Sequence, residues 1–273
     1  MTQPRSLVYD MKLPPHGLPR NSRTIFAPGG PTFEDPMRPS SNRSHSLVAA
    51  CVIALVGIAG CASAPVGPPV DAPRLVVGDH WQYRVTDNLR RGTVSQLDAE
   101  VIAVAGGSAR IRLDYADASG RTEWIDEVDG QGGLRSGTLW RERPRPFNPP
   151  AQLLAFPLEQ GKTWRQVIDT LHPDTELRDQ ILIYGKVAGR QPTTVPAGGF
   201  EAVYVYRIVQ LDDEEFWRTR TTRRGAVWYA PEVKASVREA HEAEYTEKGG
   251  GPDMTTIRTE STVLELVSFR PGK

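Results

Sequence analysis

A run of fifteen apolar and small residues at positions 47–61 restricts this chain more than any other feature. It is too short for a membrane-spanning helix, which needs about 20 apolar residues. Arg38 and Arg43 precede the run and small residues stand near its end, which is typical of an export signal. The run therefore predicts that the chain leaves the cytoplasm, and it separates a leader from the part that folds.

The run ends at Ile58-Ala59-Gly60-Cys61, which resembles the lipobox of bacterial lipoproteins. In that family the cysteine thiol receives a diacylglycerol and the leader is cut off before it. The resemblance implies cleavage between Gly60 and Cys61, palmitate-type acylation of Cys61, and a lipid bilayer as partner. Ala62 follows the cysteine, and in the Gram-negative pattern this implies the outer membrane, whereas in a Gram-positive source the same residue carries no such meaning. The expected location is the periplasmic face of the outer membrane. The alternative is a buried apolar segment with an unrelated cysteine.

The length of the leader indicates where translation starts. Export signals run about 15 to 30 residues. Counted from Met37, the segment 37–60 has a normal length, whereas counted from Met1 it is far too long. We expect translation to start at Met37, with Met1 as the alternative, and residues 1–36, rich in proline, to be untranslated or disordered. A Pro-rich flexible tether at 61–73 and a periplasmic domain at 74–273 follow.

Charge and cysteine content exclude several function classes. Without the first sixty residues the chain loses six of its 33 basic and three of its 33 acidic residues, which leaves a net charge of −3. This balance does not favour nucleic acid as a partner. Cys51 leaves with the leader and Cys61 is acylated, so no thiol remains for a disulfide, a nucleophile or a zinc site.

The domain is predicted to be all-β and mainly antiparallel. Residues 93–105 alternate apolar and polar side chains, Gly106 and Gly107 form a two-residue turn, and the alternation resumes up to Tyr115. Short connections of this kind make an antiparallel meander. The expected architecture is a curved sheet, a half-barrel or two lobes at 74–150 and 151–273.

Proline and composition set the remaining elements. Five prolines exclude a regular central strand from residues 141–157, which we interpret as a connector that packs Leu153, Leu154 and Phe156 over the core edge. Further strands are predicted at 163–170, 177–188, 202–211, 216–222, 226–229, 233–245 and 255–269. Residues 235–247 could alternatively form a helix.

Catalytic patterns are missing from the sequence. His80, His172 and His241 each stand alone, and the sequence predicts no catalytic residue, metal site or cofactor. Carboxylates cluster at 126–129 and 212–215, where strands are expected to end, so we interpret both clusters as solvated charge. A carboxylate-dependent hydrolase is the enzyme that such clusters would allow.

Two groups of residues are candidates for binding. Tyr204 and Tyr206 lie on a strand that is apolar on both faces, and with Trp228 they could face a ligand. Arg218 and Arg220 alternate with uncharged residues in a predicted hairpin and could contact an anion. Protection of an exposed edge strand by charge is the alternative for the arginines.

Three segments resemble a loose group of uncharacterised bacterial envelope proteins. Their patterns are Gly-Asp-x-Trp-x-Tyr-Arg at 78–84, Val-Pro-Ala-Gly-x-Phe-x-Ala at 195–202 and Trp-Tyr-Ala-Pro-x-Val at 228–233. The resemblance implies a curved antiparallel sheet, in some members similar to lipoprotein-carrier half-barrels, and it transfers no catalytic residue. The leading hypothesis is a non-enzymatic, membrane-anchored lipoprotein that binds or scaffolds an envelope component. A carrier of a hydrophobic ligand and a hydrolase are the alternatives.

Overall fold

Residues 67–139, 143–172, 176–249 and 254–273 are described by the computed structural model. Within these ranges the chain forms twelve strands and one 3₁₀ turn, and none of its helices is long and apolar enough to span a membrane. The elements are β1 His80–Asp87, β2 Thr93–Ala105, β3 Ser108–Asp117, β4 Gly120–Asp129, β5 Leu134–Gly137, β6 Arg145–Ala151, β7 Thr163–Leu171, β8 Arg178–Val195, β9 Gly198–Gln210, β10 Thr222–Ala230, the turn Pro231–Val233, β11 Ala235–Thr246 and β12 Thr256–Arg270.

The strands form one closed antiparallel barrel. Each strand pairs with its neighbour in sequence, and β1 pairs with β12 so that His80 lies opposite Arg270 and Asp87 opposite Thr262. The prediction of an all-β, mainly antiparallel fold is confirmed. The half-barrel and two-lobe alternatives only approximate this sheet, because it is continuous and has no free edge.

The alternation read from the sequence decides which side chains enter the barrel. On β2, Ala99 and Val101 are buried, and on β3 Ala109 is buried, as the predicted inward faces require. Gly106 and Gly107 form the turn between these strands with φ of 58° and 77°, values that favour glycine. The hairpin therefore follows from its sequence pattern alone.

The up-and-down order of the strands gives the barrel two distinct ends. The turns after β2, β4, β6, β8 and β10 lie at one end together with the chain before β1 and after β12, and we call this the N-terminal end. The turns after the odd-numbered strands form the loop end. The interior between them contains three clusters of buried apolar residues.

The three segments that resemble envelope proteins meet at the N-terminal end. The Trp81 indole donates a hydrogen bond to the Val233 carbonyl at 2.7 Å, and the Tyr83 hydroxyl donates one to the Ser236 carbonyl at 3.0 Å. Val195 of the second segment belongs to the same apolar cluster as Trp81 and Val233. These patterns therefore build one end of the barrel.

Asp79 stabilises this end of the barrel through hydrogen bonds. It is fully buried and accepts hydrogen bonds from the backbone N–H of Val76 (2.8 Å) and of Gly272 (2.9 Å) and from the Lys234 ammonium (2.8 and 3.0 Å). Burial alone would raise its pKa, but the Lys234 and backbone hydrogen bonds outweigh burial and lower the pKa of Asp79. One carboxylate thus joins the entry to β1, the exit from β12 and the turn before β11.

The connector predicted at 141–157 is wrong in part, because it contains β6. Strand β6 tolerates its prolines because its pairing with β7 is limited to Asn148 opposite Asp169, so few backbone N–H groups are needed for that ladder. The short strand β5 has no counterpart in the predicted strands.

The strand predicted at 216–222 is also wrong. Residues 216–221 belong to the loop between β9 and β10, where Phe216 is 89% exposed, and Thr222 begins β10. The predicted strand at 226–229 is part of the longer β10. The alternative helix at 235–247 is wrong, because its Ala-rich and Glu-rich composition is overridden by pairing with β10 and β12 on both sides.

Candidate functional site

A cavity of about 400 Å³ lies inside the barrel. Volumes of this order are typical of small-molecule sites. Most of its wall is apolar, and it is formed largely by inward-facing side chains of the first four strands. Apolar and aromatic residues of this wall include Trp81, Leu97, Ala99, Ile111, Leu113, Trp124, Val128, Phe156 and Tyr229.

The cavity is bordered by segments of the N-terminal end. Pro73 and Leu75 precede β1, and Leu153 and Leu154 belong to the connection between β6 and β7. The first of these segments is tied to the second, since the N–H of Val70 donates to the Leu158 carbonyl at 3.0 Å. The part of the predicted tether near Val70 therefore contacts the barrel, and Leu153, Leu154 and Phe156 pack inward as the sequence predicted.

One region of the cavity wall is polar and charged. Arg207 on β9, Arg223 on β10, and Glu239 and His241 on β11 all line it. They come together because β9, β10 and β11 are adjacent and each of these residues occupies an inward position in its strand.

Arg223 is matched by a carboxylate within this polar region. Its Nε donates to Glu260 at 2.6 Å and its Nη2 to the other Glu260 oxygen at 3.1 Å, and the Thr262 hydroxyl donates to Glu260 at 2.7 Å. Burial opposes the negative charge, yet the Arg223 guanidinium keeps the pKa of Glu260 below its usual value. This bidentate pair is a geometry in which buried charges are stable.

Glu239 is held by His241 and faces Arg207. The His241 Nε2 lies 2.7 Å from a Glu239 oxygen, and the Arg207 Nη2 lies 3.9 Å from the same oxygen. Burial favours the neutral acid, but His241 and Arg207 lower the pKa of Glu239 to about 2. Burial and the charge of Arg223 lower the pKa of His241, so its ring is neutral at pH 7 and donates from Nε2 to Glu239.

Two glycines beside Arg207 make room for the rings of Trp164 and His241. In the barrel register Gly185 on β8 and Gly225 on β10 lie on either side of it. A Cβ on Gly185 would lie 2.0 Å from the Trp164 ring, and one on Gly225 would lie 2.9 Å from the His241 ring. Sequence analysis assigned no role to either residue, although glycine inside a strand often marks such a close approach.

Asp126 places a carboxyl group in the same cavity. Burial raises its pKa to about 7, although the backbone N–H of Thr138 donates to it at 3.3 Å. It fits beside β5 because Gly137 has no side chain, since a Cβ there would lie 2.2 Å from the carboxyl oxygen. The interpretation of this carboxylate as solvated charge is therefore wrong.

The predicted ligand-facing aromatics lie elsewhere. Tyr204, Tyr206 and Trp228 occupy the outer face of the barrel, and Tyr206 is 38% exposed. The rings of Tyr204 and Trp228 pack together at 5.0 Å, and the Trp228 indole donates to the Gln191 side chain at 3.0 Å. The structure corrects this prediction, because it is the next residue, Tyr229, that lines the cavity.

The predicted anion contacts lie in the loop between β9 and β10. Arg218 pairs with Asp213 at 2.7 Å, and Arg220 pairs with Glu214 at 3.3 Å. The predicted hairpin is reduced to one bridge between Glu215 and Arg218, and the side chain of Arg223 points into the barrel. Arg218 and Arg220 therefore already have carboxylate partners within their own loop.

The second acidic cluster, at 212–215, contains both buried and exposed side chains. Asp212 is buried with Arg145, whose Nη1 and Nη2 lie 2.5 and 3.0 Å from its two oxygens, whereas Glu214 is exposed. The prediction of solvated charge is therefore wrong for Asp212. Among the described residues, no three His, Cys, Asp or Glu side chains are grouped to hold a metal ion.

The predicted cleavage and acylation site, Gly60 and Cys61, lies outside the described residues. The same is true of the segments 1–36 and 37–60 and of the first part of the tether. These assignments remain predictions of the sequence.

Comparisons with known proteins give two matches, both in structure. No family model and no curated protein sequence matches the chain. A provisionally named lipoprotein of Parabacteroides distasonis has 14% sequence identity and a TM-score of 0.44, covering 75% of this chain and 100% of its own. A provisionally named exported protein of Bacteroides fragilis with a YmcC-like fold has 13% identity and a TM-score of 0.43, covering 74% of this chain and 100% of its own.

Proposed function

We propose that this chain is a lipid-anchored protein of the bacterial cell envelope whose barrel binds an apolar ligand in its interior and catalyses no reaction on it. The observation that supports binding is the cavity of about 400 Å³ with a mostly apolar wall. Removal of a hydrocarbon chain from water contributes about 0.8 kcal/mol for each buried CH₂ group, so such a wall selects for apolar ligands.

The lining favours this proposal over the two other hypotheses. A protein that only scaffolds its neighbours has no use for an apolar cavity, and this barrel contains one. A hydrolase that uses two carboxylates needs both of them available to substrate. Of the other carboxylates that line the cavity in the described part of the chain, Glu239 is engaged by His241 at 2.7 Å and faces Arg207. Asp129 accepts hydrogen bonds from the backbone N–H groups of Gln131 and Gly133 at 2.9 and 2.8 Å, so among these described residues Asp126 has no second carboxylate that is without a hydrogen-bond partner.

Binding can be measured with a neutral single-chain probe. We expect dodecan-1-ol to bind the chain that begins at Ala62 and to change its tryptophan fluorescence, because Trp81 and Trp124 line the cavity. The substitution Ala99→Phe places a ring in the cavity and is expected to weaken binding at least tenfold, as about 1.4 kcal/mol of lost contact would do.

The matched control is Ala240→Phe. Ala240 belongs to β11 but lies outside the cavity lining, so this variant is expected to bind dodecan-1-ol as the unchanged protein does. The proposal fails if the unchanged protein does not bind the probe, or if the two variants lose affinity equally.

The anchor in this proposal is acylated Cys61, which attaches the chain to the periplasmic face of the outer membrane. Val70, which pairs with Leu158 at the N-terminal end, follows Cys61 by a few residues that span at most about 30 Å. An anchor at Cys61 thus keeps the cavity end of the barrel near the bilayer, where apolar ligands are available.

The variant Cys61→Ser tests the anchor, because a hydroxyl group cannot receive the diacylglycerol. We expect this variant to lose palmitate labelling, to keep an unprocessed leader and to move out of the fraction that contains the mature outer-membrane form. A control, Cys51→Ser, changes the other cysteine within the leader and is expected to be processed normally. Unchanged labelling and processing of Cys61→Ser would contradict the anchor.

A further inference from the structure

The cationic side chains that line the cavity differ in how many hydrogen bonds they make to carboxylates. Within the described part of the chain, Arg207, Arg223 and Lys234 are the Lys and Arg residues that line it. Arg223 makes two hydrogen bonds to Glu260, and Lys234 makes two to Asp79. Arg207 is the exception, because its nearest carboxylate oxygen is 3.9 Å away and is already bound by His241.

Most of the donors of Arg207 have no hydrogen-bond acceptor. A guanidinium group has five N–H donors. Among the described residues, the hydrogen bond of Arg207 is the one from Nη1 to the Leu153 carbonyl at 3.1 Å. Its side chain is only 7% exposed and lines the cavity, so its remaining donors are available to a molecule inside the barrel. Burial lowers the pKa of Arg207 to about 10, and the group is still charged at neutral pH.

We propose that the ligand of this cavity is an amphiphile with one anionic head group, a carboxylate or a phosphate monoester, and that Arg207 binds that head group. This inference rests on the proposed function, and it adds the class of ligand. A carboxylate or phosphate accepts two parallel N–H bonds from one guanidinium, which is what Arg207 lacks. The hydrocarbon chain then lies along the apolar wall that includes Leu113 and Phe156.

The surroundings of Arg207 hold it in place. Gly185 and Gly225, its neighbours in the register, carry no side chains, and the rings of Trp164 and His241 occupy the space next to them. The adjoining carbonyl of Leu153 fixes the guanidinium from the connector side. The site thus places a fixed, buried cation, with the Glu239 carboxylate 3.9 Å away, next to an apolar wall.

The test compares ligands that share one chain and differ in the head group. Dodecanoate, dodecyl phosphate and dodecan-1-ol are titrated into the chain that begins at Ala62, at about pH 6, where most of Asp126 is protonated and does not repel an anion. We expect at least one of the two anions to bind about 10- to 100-fold more tightly than the alcohol, which is the range of a charge-assisted hydrogen-bonded pair. The tighter of the two anions identifies the head group.

The variant Arg207→Met identifies the cation that is responsible. It is expected to remove the preference for the anions and to leave the affinity for dodecan-1-ol within about threefold, which also shows that the cavity is still formed. The matched control is Arg224→Met, since Arg224 is exposed and pairs with Glu244 on the outer face. This control is expected to retain the full preference.

The possible outcomes separate the two proposals. If dodecan-1-ol does not bind, the proposed function is wrong. If the alcohol binds and neither anion binds more tightly, or if Arg207→Met keeps the preference, only the inference about the head group is wrong.

Discussion

Replacement of Arg145 by alanine is expected to lower the free energy of unfolding by about 3 to 5 kcal/mol. The reason is that Asp212 would remain buried without its cation: the two side chains are each 2% exposed and share two hydrogen bonds. The loss should spread along β6, since this strand pairs with β7 only at Asn148 opposite Asp169. Urea denaturation, followed by far-UV circular dichroism, measures the change.

Two further variants show whether burial is the cause. Arg224→Ala breaks an exposed pair with Glu244 and is expected to cost less than about 1 kcal/mol. The double variant Arg145→Met with Asp212→Leu replaces both charges by apolar side chains and is expected to recover most of the lost stability. If Arg145→Ala costs no more than Arg224→Ala, the buried pair does not stabilise the fold as we infer.

The second large effect is expected from Asp126→Asn, and it depends on pH. Burial raises the pKa of Asp126 to about 7 in the folded protein, from its ordinary value of 3.8. Between these two values the folded state binds more protons than the unfolded state, so stability falls as pH rises. The total loss of stability, which is reached above pH 7, is as much as about 4 kcal/mol.

Asparagine keeps the shape of the side chain and cannot ionise. We expect Asp126→Asn and the unchanged protein to have similar stability near pH 4, and the variant to be clearly more stable near pH 8. Glu123→Gln, on the exposed part of the same strand, is the control for removal of one negative charge. Parallel stability curves for Asp126→Asn and the unchanged protein from pH 4 to pH 8 would contradict the buried carboxyl.

Much of the fold could be predicted where a strand has one apolar and one polar face. The hairpin of β2 and β3 has clear alternation and a Gly-Gly turn, and both were predicted correctly. Closure could not be predicted, because β1 and β12 are at opposite ends of the sequence and no local pattern specifies their pairing. Strand β6 was missed because its prolines argue against a strand, a rule that loses force where a strand has little pairing on one side.

The site was predicted less well, for a physical reason that differs between strands. Strand β9 is apolar on both faces, so the sequence alone does not tell whether Tyr204 or Arg207 points inward. The position of Asp126 was available from the sequence, since it alternates in step with Trp124 and Val128, which also line the cavity. Because Asp126 is charged, we expected it to face solvent, but the alternation of side chains along β4 places it in the cavity wall.

The seam between β1 and β12 has a consequence for the order in which the protein matures. Until Thr256–Arg270 has emerged, β1 presents an unpaired row of N–H and C=O groups that other chains can bind. The enclosed volume does not exist before that final pairing, so an incomplete chain has no compartment in which to shelter a ligand. Maturation therefore depends on the last residues to be made, and anything that delays their arrival prolongs exposure to aggregation.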